Sequence, residues 1–446
     1  MLEPSTAWLA VPGEDPERRT ISEELAALFE DLVAARLGHR DGRGQWKGAP
    51  HAWGQVWITP AQRKALGWPA SVEESSSARK VTREIEAAGW KVLGKVSGPW
   101  VRVARDTEES TERARLVLMV PEWGHTATSL GEDTATAEEL ARRLARYAET
   151  TGIAWQWSPA ATGQQLAAVT RPRLLGVKTA EGRQGPALPP PAGKANREMD
   201  FSWQRPPTAQ EAEMPYAVLI DANALYLSAA RSLPLAWGEY ERIERPRFDK
   251  TRPGYWKIPQ QRWEHPLLPD PAGPVFSRGE RDTMWVTTPT LEALTAPDML
   301  DWQIEPLEAF LAVEELQEAP QWPYGGNPPK GDGWRGQTGY GRLLRNWSES
   351  LKDARAELLG AEKGSTDDVV LRNIKATYAH GVGRFDKLDD RPKEGQRRSK
   401  HPLWRPDFRH AIIAQGRYAL FRKILKTYEA TGAAPLAIMT DGLVYA

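Results

Sequence analysis

The chain has 446 residues, with 59 Lys and Arg balancing 59 Asp and Glu, and no cysteine. Lack of cysteine excludes disulfides, thiolate zinc sites and a cysteine nucleophile, and leaves carboxylates as the natural ligands of any hard metal. No apolar run nears the roughly 20 residues that span a bilayer, and MLEPSTAWLAVPGEDPERR lacks the charged and apolar segments of a signal peptide, so a cytoplasmic protein without a membrane partner is expected.

The length calls for two or three domains, each with its own core. The zero net charge hides a segregation: residues 331–430 hold 21 Lys and Arg against 13 Asp and Glu, an excess of 8 (21 minus 13). A basic stretch of this kind suits an anionic partner.

Along the N-terminal part, helical periodicity in ISEELAALFEDLVAARL and SSSARKVTREIEAAG is followed by a predicted hairpin, WKVLGKVSGPWVRVAR. An apolar strand, RARLVLMVPEW, comes next. The helix TATAEELARRLARYAETTG then starts at a Thr/Ala run and stops at Gly152. This order predicts an α+β domain.

Residues 171–215 string prolines and polar residues together without apolar periodicity, and read as a linker or long surface loop. PYAVLIDANALYLSAARSLPL then reads as a buried strand entering a helix. Residues 239–328 look irregular apart from the strand-like run TMWVTTPTLEAL. Two helices are predicted over 341–362 and 367–380, joined by KGST, with Gly381 and Gly383 ending the second. The helix RHAIIAQGRYALFRKILKTYEATG leads into a last strand pair, PLAIMTDGLVYA.

Two aspartates carry the candidate chemistry. Asp221 ends an apolar strand, where a carboxylate either caps the following helix or faces a ligand. Asp441 lies in Thr-Asp-Gly between LAIM and LVY, a pattern that ordinarily means a hairpin turn. A strand end beside a hairpin tip is also how two carboxylates from distant segments converge to hold a pair of divalent ions for nucleotidyl transfer.

Together the segments resemble family B DNA polymerases. DANALYLSA resembles motif A, with Asp221, Leu225, Tyr226 and Ser228 matching and Leu227 replacing a proline. IMTDGLVY resembles motif C, with Thr440 and Asp441 matching, Met439 replacing its first Asp and Gly442 its Ser. TMWVTTPTLEALTAPDMLDWQIEPLEAFLAVE resembles the segment before the fingers in protein-primed members. LLRNWSESLKDARAELL and VVLRNIKATYAHGVGRF resemble the paired fingers helices, and RPDFRHAIIAQGRYALFRKI the palm helix before motif C. The motifs are degenerate; their order over 216–446 is the specific part.

The resemblance implies an α+β polymerase palm, an antiparallel sheet with helices, carrying helical fingers and preceded by a degenerate RNase H-like exonuclease-type domain. Expected bounds are 1–175 for the N-terminal domain, 176–214 for the linker, 215–330 for the first part of the palm, 331–400 for the fingers and 401–446 for the second part of the palm. The chain stops one strand after Asp441, so a thumb is expected to be absent.

Site roles follow from the same resemblance. Asp221 and Asp441 would be the catalytic carboxylates and ligands of Mg²⁺ or Mn²⁺. Tyr226 would stack under the sugar and exclude a 2′-hydroxyl. The position of the motif B lysine is Leu371, so Lys375, and after it Arg372, would neutralise the triphosphate near Tyr378. Arg345, Lys352 and Arg355 on the preceding helix could serve the same nucleotide. The strand RLVLMVPEWGH offers Glu122 but no acidic partner two residues earlier, so no nuclease activity is expected; Glu122, His125 and Asp133 otherwise read as ordinary surface residues.

Two functions compete. One is a template-directed DNA polymerase acting on a primer-template and deoxynucleoside triphosphates, with a terminal priming protein as partner. The other is a weakened polymerase relative that binds telomeric or origin DNA and recruits such a priming protein. ALYLSAARSLPLAWG and the 135–166 region also look like telomere-associated proteins of linear bacterial replicons. Met439 favours the second function; the retained Asp221, Tyr226 and Asp441 favour the first, since paired carboxylates repel each other and phosphate unless a cation intervenes.

Overall fold

Short, mostly antiparallel sheets together with helices make the chain an α+β protein. The computed structural model describes residues 1–34, 54–105, 114–124, 130, 135–156, 158–170, 177–179, 182–184, 188–192, 198, 200–273, 282–313, 339–386 and 404–446. Its described residues divide into two units. One draws on Met1–Leu166 and Ser350–Gly381, the other on Ala167–Gln321, Lys330–Glu349 and Val382–Ala446.

In the first unit, Trp100–Arg105 lies between Lys91–Val92 and Ala114–Met119, and Gly54–Trp57 adds to Ala114–Met119 as a parallel edge. Alternation sends Val101, Val103, Leu116 and Leu118 inward, where they meet Val81 and Ile85 of the helix Ser75–Ala87 and Leu28, Phe29 and Leu32 of Leu25–Ala34. Val81 and Ile85 are wholly buried, each stabilising the unit by about 1.5–3 kcal/mol. The helix Ala137–Thr151 begins with a Thr136/Glu139 capping box and ends at Gly152 in the left-handed region, as expected from the sequence.

Arg146 and Tyr147 fasten that helix to the basic-region helices. The Arg146 guanidinium meets Glu149, Glu357 and Asp367, each at 2.8 Å. The hydroxyls of Tyr147 and Thr377 are 2.8 Å apart and buried. Gly381 does not end a helix: Thr366–Arg384 runs through both Gly381 and Gly383. Gly381 lies instead where this helix packs closely on Gly163, since a Cβ on Gly163 would stand 3.0 Å from the Gly381 Cα and 2.5 Å from the Thr377 carbonyl oxygen.

The second unit holds two four-stranded sheets. One runs Tyr240–Glu244, Glu308–Ala312, Gly254–Pro259, Thr283–Thr287, all antiparallel, and packs Trp256, Ile258, Val286 and Leu311 against Leu291 and Leu294 of the helix Thr288–Thr295. Residues 239–328 are therefore not irregular where described; three strands there were hidden by prolines at their ends and by polar residues on the outward face. The other sheet runs Ser202–Gln204, Ala437–Met439, Gly442–Tyr445, Val218–Asp221. The helix Pro406–Thr431 covers it with Leu420, Phe421 and Ile424 against Phe201, Ile438 and Leu443.

This last sheet corrects two further expectations. The stretch expected to be a linker contributes the edge strand Ser202–Gln204, whose partner lies some 235 residues later and so leaves no local signal. The same stretch supplies Glu198, fully buried in an ion pair with Arg417 and accepting from the hydroxyls of Thr287 (3.0 Å) and Thr290 (2.7 Å). The strand Val218–Asp221, expected to be buried, is the opposite edge, and Val218, Leu219 and Ile220 are all more than half exposed.

Candidate active site

The hairpin that carries Asp441 turns through Thr440 and Asp441, with Met439 opposite Gly442. Thr440 takes φ 63°, a left-handed conformation that costs a β-branched residue on the order of 1–2 kcal/mol. Its amide donates to the Phe201 carbonyl at 2.8 Å, which ties the turn to the first strand. Gly442 begins the return strand and leaves room for the Leu219 side chain of the neighbouring strand, whose Cδ1 would be 3.2 Å from an added Cβ.

Across that strand, Asp221 is the register partner of Gly442, and the Ala222 amide donates to the Asp441 carbonyl at 2.8 Å. Asp221 and Asp441 thus occupy the same end of one sheet, one at a strand terminus and the other at the adjoining turn. Burial, then the charge of Asp221, raises the Asp441 carboxyl above its ordinary value. Asp221 is not the cap of the helix Leu225–Ser232: the N-cap is Ala224, at φ 55° and without a side-chain cap bond. Asp441, in contrast, is indeed a turn residue.

Tyr226 opens that helix and sits half-buried. Its ring lies against Gly416 of Pro406–Thr431, where a Cβ would come within 3.3 Å of the Tyr226 Cε1. Its hydroxyl donates to Asp200 Oδ1 at 3.1 Å, and Arg409 approaches the other Asp200 oxygen at 3.6 Å. Burial, then the Asp200 charge, holds the phenol above its ordinary value, with Asp441 adding to the effect. Asp200 escaped sequence reasoning because it falls among prolines; the only signal was the short alternation Phe201, Trp203 after it.

The other predicted residues are placed as follows. Arg345 is in the second unit and hydrogen-bonds Glu349 at 3.1 Å. Lys352, Arg372, Lys375 and Tyr378 are in the first unit. Arg372 and Lys375 are exposed on one face of Thr366–Arg384, and Arg372 also meets Asp368 at 3.2 Å; Tyr378 is half-buried and Lys352 exposed. Leu371, at the motif B lysine position, is buried.

Glu122, the lone acid of the N-terminal strand end, is committed to structure. It pairs with the buried guanidinium of Arg63, which also donates to the Trp68 carbonyl. A carboxylate neutralised in this way is a poor metal ligand. His125 and Asp133 lie outside the described residues.

Among the described residues no group of three or more His, Asp and Glu side chains could by itself hold a metal ion. Two hard carboxylates at one strand end nonetheless fit a magnesium-type ion, which takes one or two protein carboxylates and completes its shell with phosphate oxygens and water. The raised Asp441 carboxyl is the electrostatic cost that such a cation would offset. No described helix is long and apolar enough to cross a membrane.

Residues 9–154 match a family described only as a domain of unknown function, DUF8841. No curated protein sequence matches the chain. Its fold is similar to solved structures of phi29 DNA polymerase. The ternary complex with primer-template DNA and incoming nucleotide aligns at 11% identity and TM-score 0.45, over 97% of this chain and 74% of that one. The orthorhombic crystal form aligns at 11% identity and TM-score 0.40, over 99% and 79%, and the complex with single-stranded DNA at 11% and 0.41, over the same shares.

Proposed function

We propose that the chain is a template-directed DNA polymerase of the family B kind, adding deoxynucleotides to a primer hydroxyl. The observation that carries this reading is the pairing of Asp221 with Gly442, which brings the motif A and motif C aspartates to one end of a sheet from positions 220 residues apart in sequence (441 minus 221). Asp441 serves the hairpin turn as an Asp-Gly residue, but that role does not call for a second carboxylate beside it. Neither caps a helix, no ion pair is formed by either among the described residues, and the burial of Asp441 beside Asp221 is unfavourable without a cation.

In the reaction, a primer hydroxyl oxygen bonds to the α-phosphorus, the bond to the bridging oxygen of the β-phosphate breaks, pyrophosphate leaves, and the hydroxyl proton is lost to solvent. Asp221 and Asp441 would hold Mg²⁺ or Mn²⁺ there; when bound, the ions supply charge neutralisation at the phosphates and activation of the hydroxyl. Tyr226, fixed against Gly416, would set the floor of the sugar site and exclude a 2′-hydroxyl. The triphosphate role of Lys375, with Arg372 next, and of Tyr378, Lys352 and Arg345 stands on the sequence resemblance. A rise in nucleotide KM in Lys375→Ala would support it. The basic segment 331–430 suits a DNA partner, and the likeness to protein-primed members adds a terminal protein.

One observation favours the second reading, a weakened polymerase relative that binds DNA at telomeres or origins with a priming protein. Met439 occupies the hairpin position of the first motif C aspartate and is 56% exposed, an apolar side chain where a third carboxylate would otherwise stand. Primer extension with Mg²⁺ or Mn²⁺, on an ordinary primer and on a protein primer, separates the two. Incorporation by the wild type that is lost in Asp221→Ala supports the polymerase. DNA binding without incorporation on either primer supports the alternative.

A further inference from the structure

Tyr226 is held at both ends of its side chain, and the two holds come from different parts of the second unit. At the ring, Gly416 leaves only van der Waals space. At the hydroxyl, Asp200 accepts the phenolic proton at 3.1 Å, while Arg409 lies 3.6 Å from the second Asp200 oxygen. Arg409 and Gly416 are seven residues apart on one helix and share a face, so ring contact and carboxylate anchor are built on the same rigid element.

The backbone of Asp200 is equally constrained. The next residue, Phe201, accepts the Thr440 amide at 2.8 Å, and Ser202 is the register partner of Met439. Asp200 is therefore pinned to the hairpin that carries Asp441. Its side chain is half exposed, so no folding requirement explains why it is aimed at Tyr226.

Resting on the polymerase reading above, we infer that Asp200 is a positioning residue for Tyr226, fixing the ring where it discriminates a deoxyribose from a ribose. A phenol has one proton to donate. With that proton given to Asp200, the ring cannot swing to make room for a 2′-hydroxyl without breaking a hydrogen bond to a charged acceptor. Asp200 touches neither substrate nor phosphate in this role; it acts through the tyrosine.

The test is single-nucleotide incorporation of dCTP and CTP by wild type, Asp200→Ala and Asp200→Asn, with thermal unfolding of each to confirm folding. Asp200→Ala is expected to lower the ratio of kcat/KM for dCTP over CTP by about tenfold, the equivalent of one hydrogen bond to a charged acceptor, through a fall in KM for CTP. Asp200→Asn keeps an acceptor oxygen for the phenol and is expected to recover most of the ratio. If Asp200→Ala discriminates as well as the wild type, or Asp200→Asn is as impaired as alanine, the positioning role is wrong while the polymerase reading stands. If the wild type incorporates neither nucleotide on any primer, the polymerase reading is wrong and this role falls with it.

Discussion

The Ala222 amide donates to the Asp441 carbonyl at 2.8 Å, one hydrogen bond that joins the end of one strand to the tip of a hairpin more than two hundred residues away. Because that bond is between backbones, the placing of the two neighbouring aspartates does not depend on their side chains. Replacing the carboxylates should therefore separate chemistry from stability. Asp221→Asn and Asp441→Asn are expected to change unfolding free energy by less than about 0.5 kcal/mol, as for other partly exposed sites, while reducing nucleotide incorporation by on the order of 10²–10³. Urea unfolding beside primer extension checks both halves.

Gly416→Ala pits two effects against each other. Alanine is favoured over glycine inside a helix by about 1 kcal/mol, but its Cβ would stand 3.3 Å from Leu225 and Tyr226, tight enough to need a shift. Stability should change little. Sugar discrimination should fall, because the ring of Tyr226 is what yields. Thermal unfolding together with dCTP/CTP selectivity reads the two outcomes.

Arg417 and Glu198 are both fully buried, and the pair shares the Thr290 hydroxyl. Glu198→Gln removes one charge of a fully buried ion pair, and is expected to cost the second unit about 3–5 kcal/mol. The double variant Glu198→Leu, Arg417→Met should be less damaging than either single one. Urea unfolding of the three variants measures this.

Asp270 gives a pH dependence of unusual sign. Burial pushes its carboxyl up to about 7, against an unfolded value near 3.9. Between those values the folded state binds the extra proton, so stability is lost as pH rises, opposite to a salt-bridged aspartate. Asp270→Asn keeps the acceptor for the Ala272 amide (2.9 Å) and should stabilise the protein at pH 8 by about 1–3 kcal/mol, with no gain near pH 4. Urea midpoints at the two pH values test it.

Much of the helical framework was legible in the sequence because its signals are local. Thr136, Glu139 and Gly152 bound one helix, and the periodic apolar residues of 406–431 bound another, closed by Gly432. The strands around 240–312 were not legible, since their pairing is nonlocal and one face of each is polar or proline-broken. At the candidate site, Asp221, Tyr226 and Asp441 stand out in the sequence because each lies in a contiguous stretch, and the sheet brings Asp221 and Asp441 to one end. Asp200 could not, because its relation to Tyr226 and the hairpin exists only once Ser202–Gln204 pairs with Ala437–Met439. Gly381 misled for a related reason: a glycine that packs against another helix looks, in sequence, like one that ends its own.

Whether Asp221 and Asp441 act together is read most directly by primer extension with Mn²⁺ by wild type and Asp441→Ala. If they do, the wild type incorporates nucleotide and the variant loses incorporation by on the order of 10² or more. An Asp441→Ala protein that extends the primer as fast as the wild type would contradict it.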